Sequence, residues 1–444
     1  MTRLFGPSKR ALKYSGHSSL ADLNDIVDAD IYDPEANPDG IVNLGTTMNP
    51  LMLDMLTEFT EKKYRLDPKL GRPAPLPLSK KRTYTSSANN YNFSTGSPKL
   101  RTTVADLLNR HFSPSHPIDQ RNVVCSNGLN GLINSLIYTL TDENESVLMP
   151  TPAYSMLVDV SRKRNGVKCA VADVEDIDQF SASAIDDLLA TFSSAIEEAQ
   201  AQGNPVKVIM MCNPHNPVGR CYDAEVMRAI LRFCHQRGLH LVVDEIYALS
   251  AFGETFNSAL SLDEMPTDNV HVLYGISKDW GFSGLRMGFM ISYNEHVITT
   301  LKQAVGRLTR FSYLSEDFFI SFMSDHAFID EVYIPTLRQR LIATRTKAIR
   351  FLTAYKIPYI PSTAGYYLWI DLSRWTNVFK GRDSETPDIQ LVRQMVKHGV
   401  FVQPNKAFIS KEKGRFRIGF SRDTVTLNEG LDRLRRALGE VESI

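Results

Sequence analysis

The sequence predicts an α/β fold: a mostly parallel seven-stranded sheet sandwiched by helices, followed by a smaller α+β lobe. Three observations carry this. From about residue 98 to about residue 315, short apolar runs alternate with stretches of helical period. The runs are mostly apolar and rich in β-branched residues, as strands buried on both faces are. Beyond about residue 315 long amphipathic helical stretches take over.

The first forty residues are polar and irregular and read as an extended arm ending in the Pro/Gly turn of YDPEANPDG. RLDPKLGRPAPLPLSKKR, from Arg65 to Arg82, reads as a surface loop. Leu100 to Phe112 has helical apolar spacing, NVVCSN is a short buried strand, and GLNGLINSLIYTL a helix. SVLMP and VKCAVADV are strands, and Ser183 to Gln202 is a helix. VKVIMMCNP is a strand, Asp223 to Arg237 a helix, and HLVVDE, HVLYGIS and MGFMIS complete the seven strands. The helical stretch YIPTLRQRLIATRTKAIRFLTAY then leads into YYLWIDL, LVRQMVKHGV and RFRIGF. The expected division is an arm over 1–49 that joins the small domain, a large domain over 50–320, and a C-terminal small domain over 321–444.

The chain of 444 residues is long enough for a large core. Lys+Arg and Asp+Glu both number 50, which argues against a nucleic-acid binder, since that needs a basic excess. No run approaches the ~18 apolar residues of a membrane span, and the basic N-terminus lacks the apolar segment of a secretory signal. A cytoplasmic enzyme of small molecules is expected. Five cysteines without CxxC spacing point to neither a disulfide framework nor a zinc site, so no metal is expected.

In such sheets ligands bind in the loops past the C-terminal ends of the strands. CSNGLN leaves a strand and opens a helix, whose first amides make an anion site. PTPAY adds a ring, CNPHNPVG an amide, VVDEIY an acid and a phenol, and YGISK a lysine, and GLRMG brings an arginine. Anion cradle, stacking ring, buried acid and lysine together suit one ligand, pyridoxal 5'-phosphate (PLP).

With NPxNPxG, DEIY, SK and GLRMG in this order, the chain resembles the fold-type I PLP-dependent aminotransferases, and within them the 1-aminocyclopropane-1-carboxylate (ACC) synthase-like branch. It is also similar to fungal secondary-metabolite aminotransferases, some of which are carbon–sulfur lyases. The resemblance implies roles. Lys278 condenses with the cofactor aldehyde and, once freed by substrate, takes the Cα proton. Asp244 pairs with the pyridine nitrogen. Tyr247 and Asn216 bond the ring oxygen and Tyr154 stacks on the ring. Ser277, Arg286 and the amides of Leu129 and Asn130 hold the phosphate. Arg417 takes the substrate α-carboxylate, and a homodimer is implied.

Singly, each residue has a plainer reading. A lysine after a strand is usually a surface cation, Asp244 and Glu245 could start a helix, and Arg415 or Arg417 could lie on a solvated face, a role assigned to Arg415. Tyr274 to Lys278 also matches the YxxxK pair of short-chain dehydrogenases, but no GxGxxG accompanies it. The family pattern breaks in three places. Gly275 stands where a phosphate-binding serine is usual. Ser94 replaces the tyrosine that reaches the neighbouring subunit's substrate site. In Leu44-Gly45-Thr46-Thr47-Met48-Asn49, Met48 replaces a glutamate. The last two argue against ACC synthesis. They leave an aminotransferase-like reaction at Cα as the first expectation and α,β-elimination of a carbon–sulfur bond as the alternative, with ACC synthesis and an inactive descendant that only binds a metabolite ranked behind both.

Overall fold

A computed structural model describes residues 8, 12–13, 18–65, 95–263, 268–381 and 385–442. Ser94 and the expected loop beyond Arg65 lie outside the described residues. In chain order the strands are β1 (Val42–Asn43), β2 (Val123–Ser126), β3 (Ser146–Pro150), β4 (Ala153–Tyr154), β5 (Lys168–Ala172), β6 (Val206–Cys212), β7 (His240–Asp244), β8 (Val270–Gly275), β9 (Gly288–Ser292), β10 (Tyr359–Ile360), β11 (Tyr367–Asp371), β12 (Val400–Phe401), β13 (Gln403–Pro404), β14 (Phe408–Ile409) and β15 (Arg415–Gly419).

Seven of them form one sheet in the order β2-β9-β8-β7-β6-β3-β5. β9 runs antiparallel to both of its neighbours, and the remaining pairs are parallel. β2, β3, β8 and β9 are buried at every position, the signature of a sheet covered on both faces. The register Cys212↔Asp244↔Leu273 sets the C-terminal ends of β6, β7 and β8 side by side. The loops leaving those ends carry Asn216, Asp244 itself and Lys278 to one edge of the sheet.

The helices form where their ends are satisfied and one face is apolar. Pro98–His111 starts with proline in its first turn, and Ser97 Oγ accepts from Leu100 N at 3.1 Å. Ala224–Gln236 buries Val226, Met227, Ile230, Leu231 and Cys234.

A second, antiparallel sheet of order β10-β11-β15-β13 lies beyond the 21-residue helix Ile334–Ala354. β1 pairs in parallel with β12, so residues 42–43 belong with this C-terminal part. β14 pairs with β4 and joins the two parts of the molecule.

The expectation of an irregular arm over the first forty residues fails at Ser19–Ala29, which is helical. Ser18 accepts from Ala21 N at 3.1 Å, and Leu23 and Val27, one turn apart, are buried. Only two of its four large apolar residues are buried, and Asp22, Asp25 and Asp28 interrupt them, so the period is short and weak. The expectation of a solvated Arg415 also fails, because Arg415 is half-buried and paired with Glu412. Among the described residues all five cysteines are free, no group of side chains could hold a metal ion, and no helix is long and apolar enough to cross a membrane.

Candidate active site

Lys278 follows the end of β8 by three residues, in the first turn the chain makes after leaving the sheet. Its Nζ donates to Thr47 O at 2.6 Å. Burial pushes this amine down to about 8, the charge of Arg417 adds to that, and Asp244 opposes it. Asp244 ends β7 and is almost fully buried, and its Oδ1 accepts from Ile246 N at 3.1 Å. Burial pushes its carboxyl up to about 7, against the pull of that hydrogen bond and of Lys278. Acid and amine therefore share one cleft and sense each other's charge.

At one end of the cleft the Leu129–Leu140 helix begins after Gly128, whose φ of +94° suits glycine. The amides of its first turn, those of Leu129 and Asn130 among them, have no intrahelical acceptor, and no side chain caps the helix. Arg286 lies against this start, since a Cβ on Gly128 would sit 2.6 Å from its Nη2. The helix rests directly on the sheet. Gly275 and Gly288 are cross-strand partners, and a Cβ on Gly288 would lie 2.7 Å from Gly128 C and 2.8 Å from Leu129 N. Gly275 is less tightly enclosed: a Cβ there would meet the side-chain ends Leu129 Cδ1 at 2.9 Å and Ile246 Cδ1 at 3.0 Å, and the backbone oxygen of Met287 at 3.1 Å. The missing serine of the sequence pattern thus marks a position where a side chain would make these neighbours shift. Ser277 lies half-buried beside Lys278.

At the other end Arg417 is 5% exposed. Its Nη1 donates to Asn216 Oδ1 at 2.8 Å and its Nη2 to Gly45 O at 2.7 Å, while Nε has no partner among the described residues. The rings of Tyr367, Phe408 and Tyr154 surround its guanidinium at 5.1, 5.2 and 6.0 Å. Tyr247 packs edge-on to Tyr367 at 5.4 Å, and burial holds its phenol well above the usual range. Asn216 spends its carbonyl oxygen on Arg417, which leaves its NH₂ to donate elsewhere.

Sequence reasoning missed the residues that hold segment 43–49 over the cleft. Arg422 is buried and pushed down to about 10 by burial, and its Nη2 donates to Asn43 O at 2.7 Å and Thr46 O at 2.8 Å. Ser421 Oγ donates to Met48 O at 2.6 Å, and Gly419 N to Leu44 O at 2.6 Å. The available signal was the alternation of RFRIGFSR, which puts a further arginine just past the strand. Its acceptors are main-chain carbonyls nearly 380 residues away, and these leave no mark in sequence.

The family model for aminotransferase class I and II matches residues 67–434. The chain belongs to this family. Mouse 1-aminocyclopropane-1-carboxylate synthase-like protein 1 is 31% identical, over 92% of this chain and 78% of its own. 1-Aminocyclopropane-1-carboxylate synthase 6 of Arabidopsis thaliana is 28% identical, over 93% and 81%. The chain is thereby a member of the ACC synthase-like branch of these PLP-dependent enzymes. Among solved structures, Pyrococcus horikoshii kynurenine aminotransferase superposes with a TM-score of 0.73 at 18% identity, covering 98% of this chain and 97% of that one. Thermus thermophilus aspartate aminotransferase gives 0.71 at 16% identity, covering 97% and 99%. At those identities the likeness is one of fold. The mouse protein 2 of the branch, 29% identical over 93% of this chain, bears the name probable inactive.

Proposed function

We propose that this aminotransferase-family protein is an active PLP-dependent enzyme that works at Cα of an amino acid or a derivative of one. The observation that carries the reading is that half-buried Lys278, fixed on Thr47 O at 2.6 Å, lies close enough to buried Asp244 for each to sense the other's charge, with the amine pushed down to about 8. An amine near neutrality can lose and regain a proton at working pH, as a general base must.

The donor set fits the cofactor. Free first-turn amides and Arg286 suit a phosphate monoester, an Asp suits a pyridinium N–H, and the spare NH₂ of Asn216 and the hydroxyl of Tyr247 suit a ring oxygen. Bound PLP supplies an electron sink that makes the Cα–H bond of an amino acid acidic. Lys278 is assigned to hold the cofactor and to carry the Cα proton on Nζ. Asp244 keeps the proton on the ring nitrogen, because a carboxylate beside it makes its loss costly. Tyr154 covers the ring face and Ser277 adds a hydroxyl at the phosphate. Arg417 offers its unpartnered Nε, inside an aromatic cage, to a substrate carboxylate. The lobes are assigned as 50–320, with 1–49 and 321–444 together, and the active unit as a homodimer.

Transamination is the favoured outcome. Met48 in place of an acidic residue, with Ser94 in place of a tyrosine, argues against ACC synthesis. The test incubates the cofactor-loaded chain with common amino acids and 2-oxoglutarate, and separately with cysteine conjugates. Glutamate formation supports transamination, and a role in small-molecule biosynthesis would follow from the amino acid preferred. Thiol and ammonia release would replace transamination by carbon–sulfur elimination. No turnover in either arm would overturn the enzyme reading.

A further inference from the structure

Asp279, the residue after Lys278, is a fully buried acid outside the roles just assigned. Its Oδ2 accepts from Leu249 N at 2.9 Å and from Tyr274 OH at 3.0 Å, and its Oδ1 from Tyr366 OH at 2.9 Å. Tyr274 is fixed in turn by Trp280 Nε1, which donates to its oxygen at 2.9 Å. The main chain here is held as firmly. Asn49 Nδ2 donates to Lys278 O at 3.1 Å and to Asp279 O at 3.2 Å, and Tyr333 OH donates to Asp279 O at 3.4 Å.

These donors come from separate parts of the molecule. Leu249 and Tyr274 belong with the seven-stranded sheet, Asn49 with the N-terminal segment, and Tyr333 with the residues entering the long helix. Tyr366 immediately precedes β11, the strand paired with β15, and Trp369 of β11 is the register partner of Arg417. Tyr366 O also accepts from Phe420 N at 2.9 Å, just past β15. A carboxyl group left without hydrogen-bond partners in such a place is strongly disfavoured, so its donors must all arrive together. Phenol, turn and strand are therefore locked in one arrangement.

We infer that Asp279 is a positioning residue, which through Tyr366 ties the turn bearing Lys278 to the sheet bearing Arg417. The tie fixes the spacing between the lysine and the carboxylate-binding arginine. The inference rests on the function proposed above, because it gives Arg417 a substrate to bind.

Two variants of the full, cofactor-loaded chain test it, Tyr366→Phe and Asp279→Asn. Tyr366→Phe deletes one hydroxyl and leaves the other two bonds to Asp279 intact, so it serves even where Asp279→Asn fails to fold. Amide hydrogen exchange over 415–419 is expected to rise about tenfold in each, equivalent to ~1.4 kcal/mol, and no further in the double variant. Affinity for L-amino acids, titrated through visible absorbance, is expected to fall about tenfold in Tyr366→Phe. Affinity for the same amines lacking the carboxylate is expected to hold. Exchange that rises only beside the substituted residue, or that sums in the double variant, overturns the tie. Equal losses for amino acids and amines would also overturn it, since general loosening gives that result. A wild-type protein with no cofactor band refutes the proposed function instead, and the exchange comparison still decides the tie.

Discussion

Nζ of Lys278 donates a 2.6 Å hydrogen bond to the main-chain carbonyl of Thr47. The two residues are 231 positions apart, and the bond spans from the end of β8 to the segment clamped by Arg417 and Arg422. An amine so held points into the cleft before any ligand arrives, which lowers the entropy cost of reaction there.

Lys278→Ala is expected to abolish the visible absorbance of the cofactor-loaded protein and all turnover. Soaking the variant with a small primary amine should restore part of the band, because the rest of the pocket stays intact. Absorbance scans before and after the soak measure this. A variant that keeps the wild-type spectrum would remove the lysine from the chemistry.

Asp244→Ala is expected to retain cofactor but to lose turnover on the order of 10²-fold or more, as when a preorganised charge is taken from a dry site. Steady-state rates beside cofactor content separate the two effects. Wild-type rates in this variant would contradict the role given to the carboxylate.

Arg417→Ala removes the partner of Asn216 Oδ1 and of Gly45 O as well as the free Nε. Affinity for substrates with a free α-carboxylate should fall about 10²–10³-fold, the cost of losing one buried charge partner. Arg417→Lys should recover little of it, since an ammonium cannot reproduce the planar fork. Titrations with one amino acid across the three proteins test the order.

Gly288→Ala is expected to cost about 1–3 kcal/mol in stability, because backbone at the start of the Leu129–Leu140 helix lies within 2.8 Å of the new carbon. The helix start must then lift, and cofactor affinity should fall with it. Gly275→Ser, which restores the hydroxyl usual in the family, should weaken cofactor binding rather than strengthen it. Thermal melts and cofactor titrations of both variants check this.

Three buried carboxyls give the cofactor-free protein a particular pH dependence. Burial pushes Asp244 and Asp279 up to about 7 and Glu245 to about 8. Each holds a proton in the folded state that the unfolded chain has already released. Their contribution to stability falls as pH rises from about 4 to about 8, but His215 and His271, pushed down to about 3 by burial, contribute oppositely up to about 6.5, so the net decline is expected between about 6.5 and 8. Lys278, pushed down to about 8, acts oppositely: above that pH the unfolded chain binds more protons, so its contribution rises again. Melting temperatures of the cofactor-free chain should show the decline, and Glu245→Gln should flatten its upper part.

The seven strands of the main sheet were readable because their runs are mostly apolar, a pattern set by burial on both faces, and most of its helices because their apolar residues recur at helical spacing. Ser19–Ala29 was not, because its acids outnumber the two residues it buries. Lys278, Asp244, Asn216, Tyr247 and Arg417 were legible as residue types at strand ends, since parallel sheets deliver their loops to one edge.

Fold class, family motifs and the inventory of chemical groups can all be read along the chain, because they are properties of local period and spacing. Only in the folded molecule does Thr47 hold the lysine, does Arg417 donate to both Asn216 and Gly45, does the helix start close over Gly288, and does Asp279 meet Tyr366. Each of these depends on a contact between residues far apart in the chain, and such contacts are fixed by close packing and by the pairing of buried polar groups, which no stretch of sequence records.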